Sequence, residues 1–299
     1  MERSVGYVFR PEDALMVEEL SQTPAGRLAL LIEQELLLRL WRPLTPQRVL
    51  EVGCGTGLFL ERLVREGHIV TGIDASPAML EIARRRLAPR VALRQGFAED
   101  LPFDDNEFDT VALIGTLEYV NDPVAALREA FRVARQHVLL GAANRYSLET
   151  FKLCAQRLWK RSFYDHARFY SVYRLRHLVE RALAGSVPVR WGTCLSFPLG
   201  LLKYVRFLER SRLLQWHPLG HFIGMRVDMV YPMQTIQTPL FAEVTSRMDR
   251  SRARASCWRS LAGDKGFCRF APGLDGTGAF HPPSTAGRMR ISRPPISDR

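Results

Sequence analysis

Short apolar runs alternate with amphipathic helical segments through the first half of the chain, and this alternation constrains the fold most. Five runs have the length and composition of buried strands, at 48–52, 69–73, 91–94, 110–114 and 137–140. Ser76-Pro77 and Asp122-Pro123 have the cap-and-proline pattern of helix starts. Strands that are apolar throughout and are separated by capped helices predict a doubly wound parallel α/β sheet, with helices on both faces and right-handed crossovers.

Helical and strand patterns continue on both sides of this alternation. Thr23 is a suitable N-cap and Pro24 a suitable first helical residue, which predicts a helix to about residue 41 with Leu31 and Ile32 on its apolar face. The later patterns predict two helices and two strands, at 147–160, 173–184, 187–191 and 222–231.

Composition divides the chain into four parts. We expect an N-terminal helical segment (1–46), a core (47–145), the later part of the fold (146–245) and a basic tail (246–299). The chain carries a net charge of +11, and +7 of it lies in the tail, where Ser, Gly, Pro and Arg occur without periodicity. We expect this tail to be disordered. The remaining +4 gives no clear indication of a nucleic-acid partner.

Cysteine usage and hydropathy indicate the compartment. The five cysteines include no C-x-x-C pair and no His/Cys spacing typical of zinc, so we expect no metal. Their odd number, without a secretion signal at the N-terminus, is typical of a reducing compartment. No apolar run reaches the roughly 18 residues that a membrane span needs. We therefore expect a cytoplasmic protein without a transmembrane segment.

The first predicted strand ends in a glycine-rich turn, VGCGTG at 52–57. Glycines at these positions let a ligand approach the backbone closely. Glu51 precedes the turn, where a carboxylate suits an ammonium group or a bound water and would repel a pyrophosphate. Asp74 ends the next strand 21 residues after Gly53, the spacing at which a carboxylate accepts both ribose hydroxyls. Because position 58 is Leu, the turn departs from the G-x-G-x-x-G fingerprint of nicotinamide and flavin sites. These features favour an adenosine ligand that carries an ammonium group and no pyrophosphate, as S-adenosylmethionine (SAM) does.

Four sequence blocks occur in the order and spacing of a known family. They are EVGCGTG at 51–57, GIDASPAML at 72–80, AEDLPF at 98–103 with Phe108-Asp109, and LEYVNDP at 117–123. Through these blocks the chain resembles the type 11 group of class I SAM-dependent methyltransferases, closely over about 24–145 and more loosely to about residue 240. The resemblance implies a Rossmann-like, seven-stranded, mostly parallel sheet with the last strand antiparallel, and transfer of a methyl group from SAM.

The resemblance also implies a cofactor site made of three segments. The glycine turn would line the methionine and ribose parts of SAM, Asp74 would accept the ribose hydroxyls, and Met79 would pack near the adenine. Backbone groups after the third strand would meet the adenine edge. The candidate cofactor-binding residues are Glu51, Gly53, Cys54, Gly55, Gly57, Asp74, Ala75, Met79, Phe97, Ala98 and Glu99.

Three features depart from the family pattern. Phe97 stands where the family often has the acidic residue that accepts from the adenine amino group, so stacking and backbone contacts would hold the adenine, or SAM would bind more weakly. No Tyr-Asp lid element is recognisable over 10–20. The glycine turn usual before the fifth strand is missing, so Val133 leads directly into that strand.

The acceptor side is less well defined by sequence. His166 is a candidate general base, while the polar-aromatic run 166–171 more readily fits a structural role that fixes later helices to the sheet. Tyr119 is the second catalytic candidate. Glu118 and Tyr119 follow the fourth strand and either face the methyl donor or pack in the core. The apolar, arginine-rich segment 197–216 is interpreted as a cover over a hydrophobic acceptor, a membrane-surface helix or a helix packed on the sheet.

The sequence thus predicts a SAM-dependent methyltransferase that acts on a small-molecule acceptor, and a hydrophobic one such as a quinone or lipid precursor fits the apolar segment. Two alternatives stay open. One is a catalytically silent protein that binds SAM or S-adenosylhomocysteine (SAH). The other is an RNA or protein methyltransferase that the basic tail recruits to its substrate.

Overall fold

The computed structural model describes residues 6–87, 89–156, 163–197, 215 and 217–229. The strands found in them are β1 (Arg48–Val52), β2 (Ile69–Asp74), β3 (Ala92–Gln95), β4 (Phe108–Ile114), β5 (Ala134–Ala143), β6 (Val189–Cys194) and β7 (Phe222–Asp228). The helices are α1 (Pro11–Gln22), α2 (Pro24–Trp41), α3 (Leu58–Arg65), α4 (Pro77–Leu87), α5 (Pro123–Val133), α6 (Leu148–Gln156), α7 (Val172–Leu183) and a 3-10 helix, Phe163–His166.

The strands form one seven-stranded sheet in the order β3-β2-β1-β4-β5-β7-β6. The first five strands pair in parallel, and β7 runs antiparallel to both β5 and β6. This confirms the predicted mostly parallel, seven-stranded sheet. The direction of chain progression reverses between β1 and β4, where Val52 lies beside Leu113 in the register. In open α/β sheets such a switch point opens a crevice at the carboxyl ends of the strands.

Side-chain caps fix the starts of three helices as the sequence predicts. Thr23 Oγ1 accepts the N–H of Gly26 at 3.0 Å at the start of α2. Ser76 Oγ accepts the N–H of Met79 at 3.2 Å in the first turn of α4. Asp122 Oδ1 accepts two N–H groups of α5, the nearer at 2.9 Å. Each cap satisfies N–H groups that a helix start leaves without intrahelical partners.

Apolar helix faces cover both sides of the sheet. On one side α5 and α7 pack Leu127 and Val179 against β4 and β5. On the other side α2, α3 and α4 contribute a second buried layer, with Leu36, Leu60 and Leu80 fully or almost fully buried. The predicted arrangement of helices on both faces is therefore confirmed, and the two layers hold the sheet edge that carries the crevice.

Two details differ from the sequence predictions. Helix α1 was not predicted, because it buries only Ala14 and leaves Leu15 and Leu20 exposed, so its sequence has little apolar periodicity. On α2, Ile32 is buried as expected, but Leu31 is 48% exposed because the helix turns a neighbouring stripe toward the sheet. The direct passage from α5 into β5 agrees with the missing glycine turn.

Several predictions fall outside the described residues. The tail 246–299 and nearly all of the segment 197–216 belong there. The part boundaries at residues 46, 145 and 245 stay predictions. Within the described part of the chain, no helix combines the length and the apolar character that crossing a membrane requires.

Candidate active site

A cavity of about 450 Å³ opens at the carboxyl ends of β1, β2 and β4, at the switch point of the sheet. This volume lies within the range of small-molecule sites, roughly 300–1,000 Å³. Its walls come from the glycine turn after β1, the ends of β2 and β3, the loop after β4, helix α2 and the segment before α1. Residues far apart in the sequence thus meet around one space.

The glycine turn after β1 adopts a backbone that side chains rarely allow. Gly53, Gly55 and Gly57 have φ values of +72°, +53° and +79°. A Cβ at Gly53 would lie 2.4 Å from Thr116 Oγ1, whereas a Cβ at Gly55 would meet nothing within 4 Å. Gly53 is therefore required by packing, while Gly55 leaves its backbone open toward the cavity.

Asp74 closes the turn from the neighbouring strand. Its Oδ2 accepts the N–H of Gly55 at 2.7 Å, and its Oδ1 accepts the N–H of Ser76 at 2.8 Å. Burial raises the pKa of Asp74, and the two N–H groups oppose this shift. Each oxygen retains a further lone pair, and Asp74 lines the cavity, so the carboxylate suits a pair of hydroxyl donors there.

Glu51 lies buried beneath the turn, with only 3% of its surface exposed. Burial, assisted by the carboxylate of Asp74, raises the pKa of Glu51 well above its ordinary value. Its Oε2 has no hydrogen-bond partner among the described residues. A buried carboxylate oxygen without a donor is costly, so the site fits a ligand that brings an ammonium group here.

The remaining cofactor candidates lie around the same cavity in two different roles. Cys54 and Met79 are almost fully buried and contribute apolar wall, and burial raises the pKa of the Cys54 thiol. A thiol with a raised pKa is a poor nucleophile. Phe97, 46% exposed, and the buried Ala98 also line the cavity. The aromatic surface suits stacking with a flat base.

Glu99 has a structural partner that the sequence did not indicate. Its Oε1 accepts the N–H of Asn121 at 2.8 Å and that of Asp122 at 3.3 Å. The side chain therefore ties the residues after β3 to the loop before α5. Glu99 still lines the cavity. All the predicted cofactor-binding residues line it except Gly57, where an added Cβ would lie 2.7 Å from Leu87 Cδ1.

The N-terminal segment 6–9, here called the covering segment, lines the cavity, and it lies before the range 10–20 in which no Tyr-Asp lid element is recognisable. The backbone N–H of Tyr7 donates to the carbonyl of Tyr119 at 2.9 Å, and Ser76 Oγ donates to the carbonyl of Phe9 at 2.7 Å. The Tyr7 hydroxyl donates to Asp13 at 2.7 Å, which joins the segment to α1. The contacts with Tyr119 and Ser76 join residues separated by many positions, so no local sequence pattern indicates them.

Acidic and phenolic side chains line the opposite end of the cavity, beyond β4. Glu118 is 3% exposed, and its Oε1 accepts the N–H of Ala143 at 2.8 Å. Burial raises its pKa to about 7. Glu33, on α2, has a pKa raised to about 8 by burial and by Glu118. Burial and these two carboxylates raise the pKa of Tyr164 to about 12.

Sequence reasoning missed Glu33, Tyr164 and His221. An acidic residue inside the apolar stretch of α2, at 28–38, is the one signal that could have indicated Glu33. His221 lines the cavity, with its Nδ1 2.9 Å from Ser147 Oγ, and burial lowers its pKa. Its imidazole is therefore neutral at neutral pH.

The two proposed catalytic candidates are placed differently. Tyr119 lines the cavity, and its ring packs edge-on against Phe9 with centroids 4.7 Å apart. His166 is exposed and lies outside the cavity lining, stacked on Tyr7 at 4.1 Å between ring centroids. This placement favours a structural role for the run around His166, because the imidazole contacts Tyr7 of the covering segment.

Comparison with known proteins gives the same picture for the core. Residues 50–140 match the type 11 methyltransferase domain model. A ubiquinone biosynthesis O-methyltransferase from Alkalilimnicola ehrlichii is 40% identical over 105 residues, which cover 33% of this chain and 42% of that protein. A demethylmenaquinone methyltransferase from Clavibacter sepedonicus is 38% identical over 107 residues, covering 32% of this chain and 44% of that protein. The chain thus spans about two fifths of the length of such curated relatives.

A solved structure matches over a longer stretch. A protein from Thermotoga maritima, described as a SAM-dependent methyltransferase and possible histamine N-methyltransferase, has a TM-score of 0.59 and 26% sequence identity. The match covers 73% of this chain and 97% of that one. In fold and in the glycine turn the chain is thus similar to class I SAM-dependent methyltransferases. Within that class, the match of residues 50–140 is to the type 11 methyltransferase domain.

Proposed function

We propose that this protein transfers the methyl group of SAM to a small-molecule acceptor with an apolar body. One observation carries the proposal. A single cavity joins the glycine turn and Asp74, at the nucleoside end, to the aromatic and acidic residues beyond β4, at the other. A methyl donor and an acceptor in such a space would lie next to each other, away from bulk water.

The donor end fits SAM by the chemistry of its groups. The open backbone at Gly55 gives room for close approach, Asp74 suits the ribose hydroxyls, and the unpartnered oxygen of Glu51 suits the ammonium of the methionine part. Phe97 and Met79 suit the adenine by stacking and apolar contact. When bound, SAM supplies an electrophilic methyl group on a positively charged sulfur.

The acceptor end is mostly aromatic. Phe9, Tyr119, Phe163, Phe169 and Phe222 line it, and their rings offer apolar surface to a flat or hydrocarbon substrate. The names of the relatives from Alkalilimnicola and Clavibacter refer to quinone biosynthesis and support an acceptor of this character. Positioning of two reactants in one cavity is worth roughly 7–11 kcal/mol of the barrier. The protein's main contribution would therefore be alignment and exclusion of water.

The direct test has a binding arm and a transfer arm. Calorimetric titration of the full chain with SAM and SAH should give saturable binding of both. Incubation with SAM that carries a CD₃ methyl group and a metabolite extract should then give a small molecule heavier by that group, detected by mass spectrometry.

The outcomes separate the alternatives. Failure to bind either nucleoside at millimolar concentration contradicts the proposed site. Tight binding without any labelled acceptor supports the catalytically silent alternative instead. Label in the RNA or protein fraction, lost on removal of residues 246–299, supports the recruited macromolecular methyltransferase.

A further inference from the structure

The charged groups that line the cavity are acidic. Five carboxylates face it, whereas no Lys or Arg side chain among the described residues does. The whole chain, in contrast, carries a net charge of +11. A concave wall with one sign of charge attracts ligands of the opposite sign. The five carboxylates are Glu33, Glu51, Asp74, Glu99 and Glu118.

Sheet order divides these carboxylates between the two ends of the cavity. Glu51 lies on β1 and Asp74 on β2, where the donor is proposed to bind. Glu99 is engaged by two backbone N–H groups. Glu118 follows β4 and is bonded to the end of β5, on the opposite side of the switch point. Glu33 and Glu118 are therefore the acids that the donor does not account for.

The carboxylate of Glu118 has one oxygen that can accept a hydrogen bond from a ligand. Its Oε1 is fixed by the N–H of Ala143, but its Oε2 has no partner within the described part of the chain, although the residue is only 3% exposed. Leaving a buried carboxylate oxygen without a donor costs stability. The cost is removed when a cationic donor enters the cavity that Glu118 lines.

Glu33 approaches the same space from a rigidly seated helix. On α2, Leu36 packs against Gly224 of β7 and Gly192 of β6, where an added Cβ would lie 3.2 and 3.1 Å away. Gln34 Nε2 donates to the carbonyl of Leu58 at 3.2 Å. These contacts hold Glu33 at the cavity wall, where its charge couples to that of Glu118. Two like charges facing one cavity are stabilised by a cation between them.

Aromatic rings complete the environment of a cation with an apolar body. Tyr164 lines the cavity near the two carboxylates, and Phe163, Phe169 and Tyr119 line it as well. Aromatic faces attract cations, and they also bury hydrocarbon surface. At neutral pH and without a ligand, Glu33 is largely protonated because its pKa is about 8. An ammonium, unlike a hydroxyl, favours the charged form of both carboxylates.

We propose that the acceptor is an amine on an aromatic or hydrocarbon body, bound as its ammonium by Glu33 and Glu118. This inference rests on the proposed function. One of the two carboxylates takes a proton from the ammonium, which restores the nitrogen lone pair. The N–CH₃ bond then forms as the S–CH₃ bond breaks, the electron pair of that bond stays on sulfur, and the product leaves as a methylated ammonium with SAH.

A matched ligand pair tests the selectivity of the cavity. The full-length protein, saturated with SAH, is titrated with 2-phenylethylamine and with 2-phenylethanol, which differ in the amine and hydroxyl groups. We expect the amine to bind about 10- to 100-fold more tightly, the effect of a charged hydrogen bond. Equal or tighter binding of the alcohol, or no binding of the amine, overturns the proposal. Because SAH binding is measured first, failure of the donor site is seen separately.

Substitution locates the selectivity. Glu33→Gln and Glu118→Gln are nearly isosteric, and Gln at position 118 keeps an oxygen for the N–H of Ala143. Each should lower the preference for the amine about tenfold or more while SAH affinity stays unchanged. Glu35→Gln, on the same helix but outside the cavity lining, is the control and should behave as wild type. Retained amine preference in both cavity variants refutes the assignment of these carboxylates.

The same variants have a readout in turnover. With CD₃-labelled SAM and 2-phenylethylamine, wild type should give the N-methyl product, and both Gln variants should lose kcat/KM. Transfer of label to 2-phenylethanol in preference to the amine would overturn the amine proposal while leaving SAM-dependent methyl transfer intact.

Discussion

The carboxylate of Asp74 accepts the backbone N–H of Gly55 at 2.7 Å, across the gap between β2 and the turn that follows β1. The same side chain accepts the N–H of Ser76 with its other oxygen. Asp74 therefore shapes the glycine turn and faces the proposed ribose position at once. Fixing the backbone of the turn in advance lowers the ordering cost of binding a nucleoside there.

Replacing Asp74 should weaken nucleoside binding. We expect Asp74→Ala to cost about 1.5–3 kcal/mol in SAM affinity, which is about 10- to 150-fold in Kd, because a charged hydrogen-bonding partner is lost. Asp74→Asn keeps one carbonyl oxygen for a backbone N–H and should lose less. Calorimetry with SAM and SAH measures both.

A control for Asp74 separates local from general effects. Asp104 is exposed and lies outside the cavity lining, so Asp104→Ala should leave the affinity unchanged. Unchanged SAM binding in folded Asp74→Ala would mean that the nucleoside occupies a different pocket.

Gly55 offers a test of close approach between ligand and backbone. A methyl group at Gly55 meets no protein atom within 4 Å but points into space that the ligand needs, at a φ of +53°. Gly55→Ala should therefore lower SAM affinity at least about tenfold and cost only about 1–2 kcal/mol of stability from its left-handed backbone.

Gly67 is the matched control for this glycine. It has a φ of +87° with nothing within 4 Å of an added Cβ, and it lies in the turn after α3, outside the cavity lining. Gly67→Ala should show a similar drop in melting temperature without any change in Kd. Equal Kd values in the two variants would argue against ligand contact at Gly55.

The sheet and the donor end of the cavity could be predicted from sequence because their signals are local. The apolar runs define the strands, and the positive φ of the glycine turn follows from its composition. Asp74 lies at a fixed spacing from Gly53, since one β-α-β unit separates them. Parallel pairing of β1 with β2 then brings the two together.

The acceptor end could not be predicted because it depends on how distant elements pack. Glu33 faces the cavity only because α2 lies across β6 and β7 in one orientation, which its sequence period does not specify. His221 immediately precedes β7, and this strand lies between β5 and β6 in the sheet. The position of the covering segment depends on two hydrogen bonds between distant residues, from Tyr7 to Tyr119 and from Ser76 to Phe9.

The cover should control how fast SAM leaves. Arg86 Nη2 on α4 lies 2.6 and 2.7 Å from the two carboxylate oxygens of Glu18 on α1, and both side chains are largely buried. Arg86→Gln should loosen α1 and raise the dissociation rate of SAM about 3- to 10-fold, since most affinity changes are expressed in dissociation. Stopped-flow displacement by SAH measures this rate.

Arg85 provides the comparison for Arg86. It pairs with Glu81 of its own helix and is 76% exposed, so Arg85→Gln removes the same charge without touching the cover. We expect it to leave the dissociation rate as in wild type, because exposed pairs contribute little. A similar acceleration in both variants would assign the effect to net charge rather than to the contact with Glu18.

The partly buried carboxylate of Glu33 should make stability depend on pH. Its pKa is raised from 4.5 to about 8 by burial and by Glu118, and Tyr164 also faces it across the cavity. Between these two values the folded state holds a proton that the unfolded state has lost. The free energy of unfolding must therefore fall as the pH rises from about 4.5 to about 8, and the loss is complete above that range.

Glu33→Gln removes the contribution of Glu33 to this dependence and should stabilise the protein increasingly as the pH rises above about 4.5. Without ligand, its melting temperature should exceed that of wild type by about 2–8 °C at pH 9, corresponding to about 1–2 kcal/mol, and should match it at pH 4. Differential scanning calorimetry at both pH values, with Glu35→Gln as the control on the same helix, measures the effect. If Glu33→Gln raised the melting temperature above that of wild type equally at pH 4 and pH 9, the carboxylate of Glu33 would not carry the raised pKa.

The amine should also stabilise the protein in a way that depends on pH. An ammonium between Glu33 and Glu118 favours the charged form of the two carboxylates. For this reason 2-phenylethylamine should raise the melting temperature of SAH-loaded wild type more at pH 9 than at pH 5.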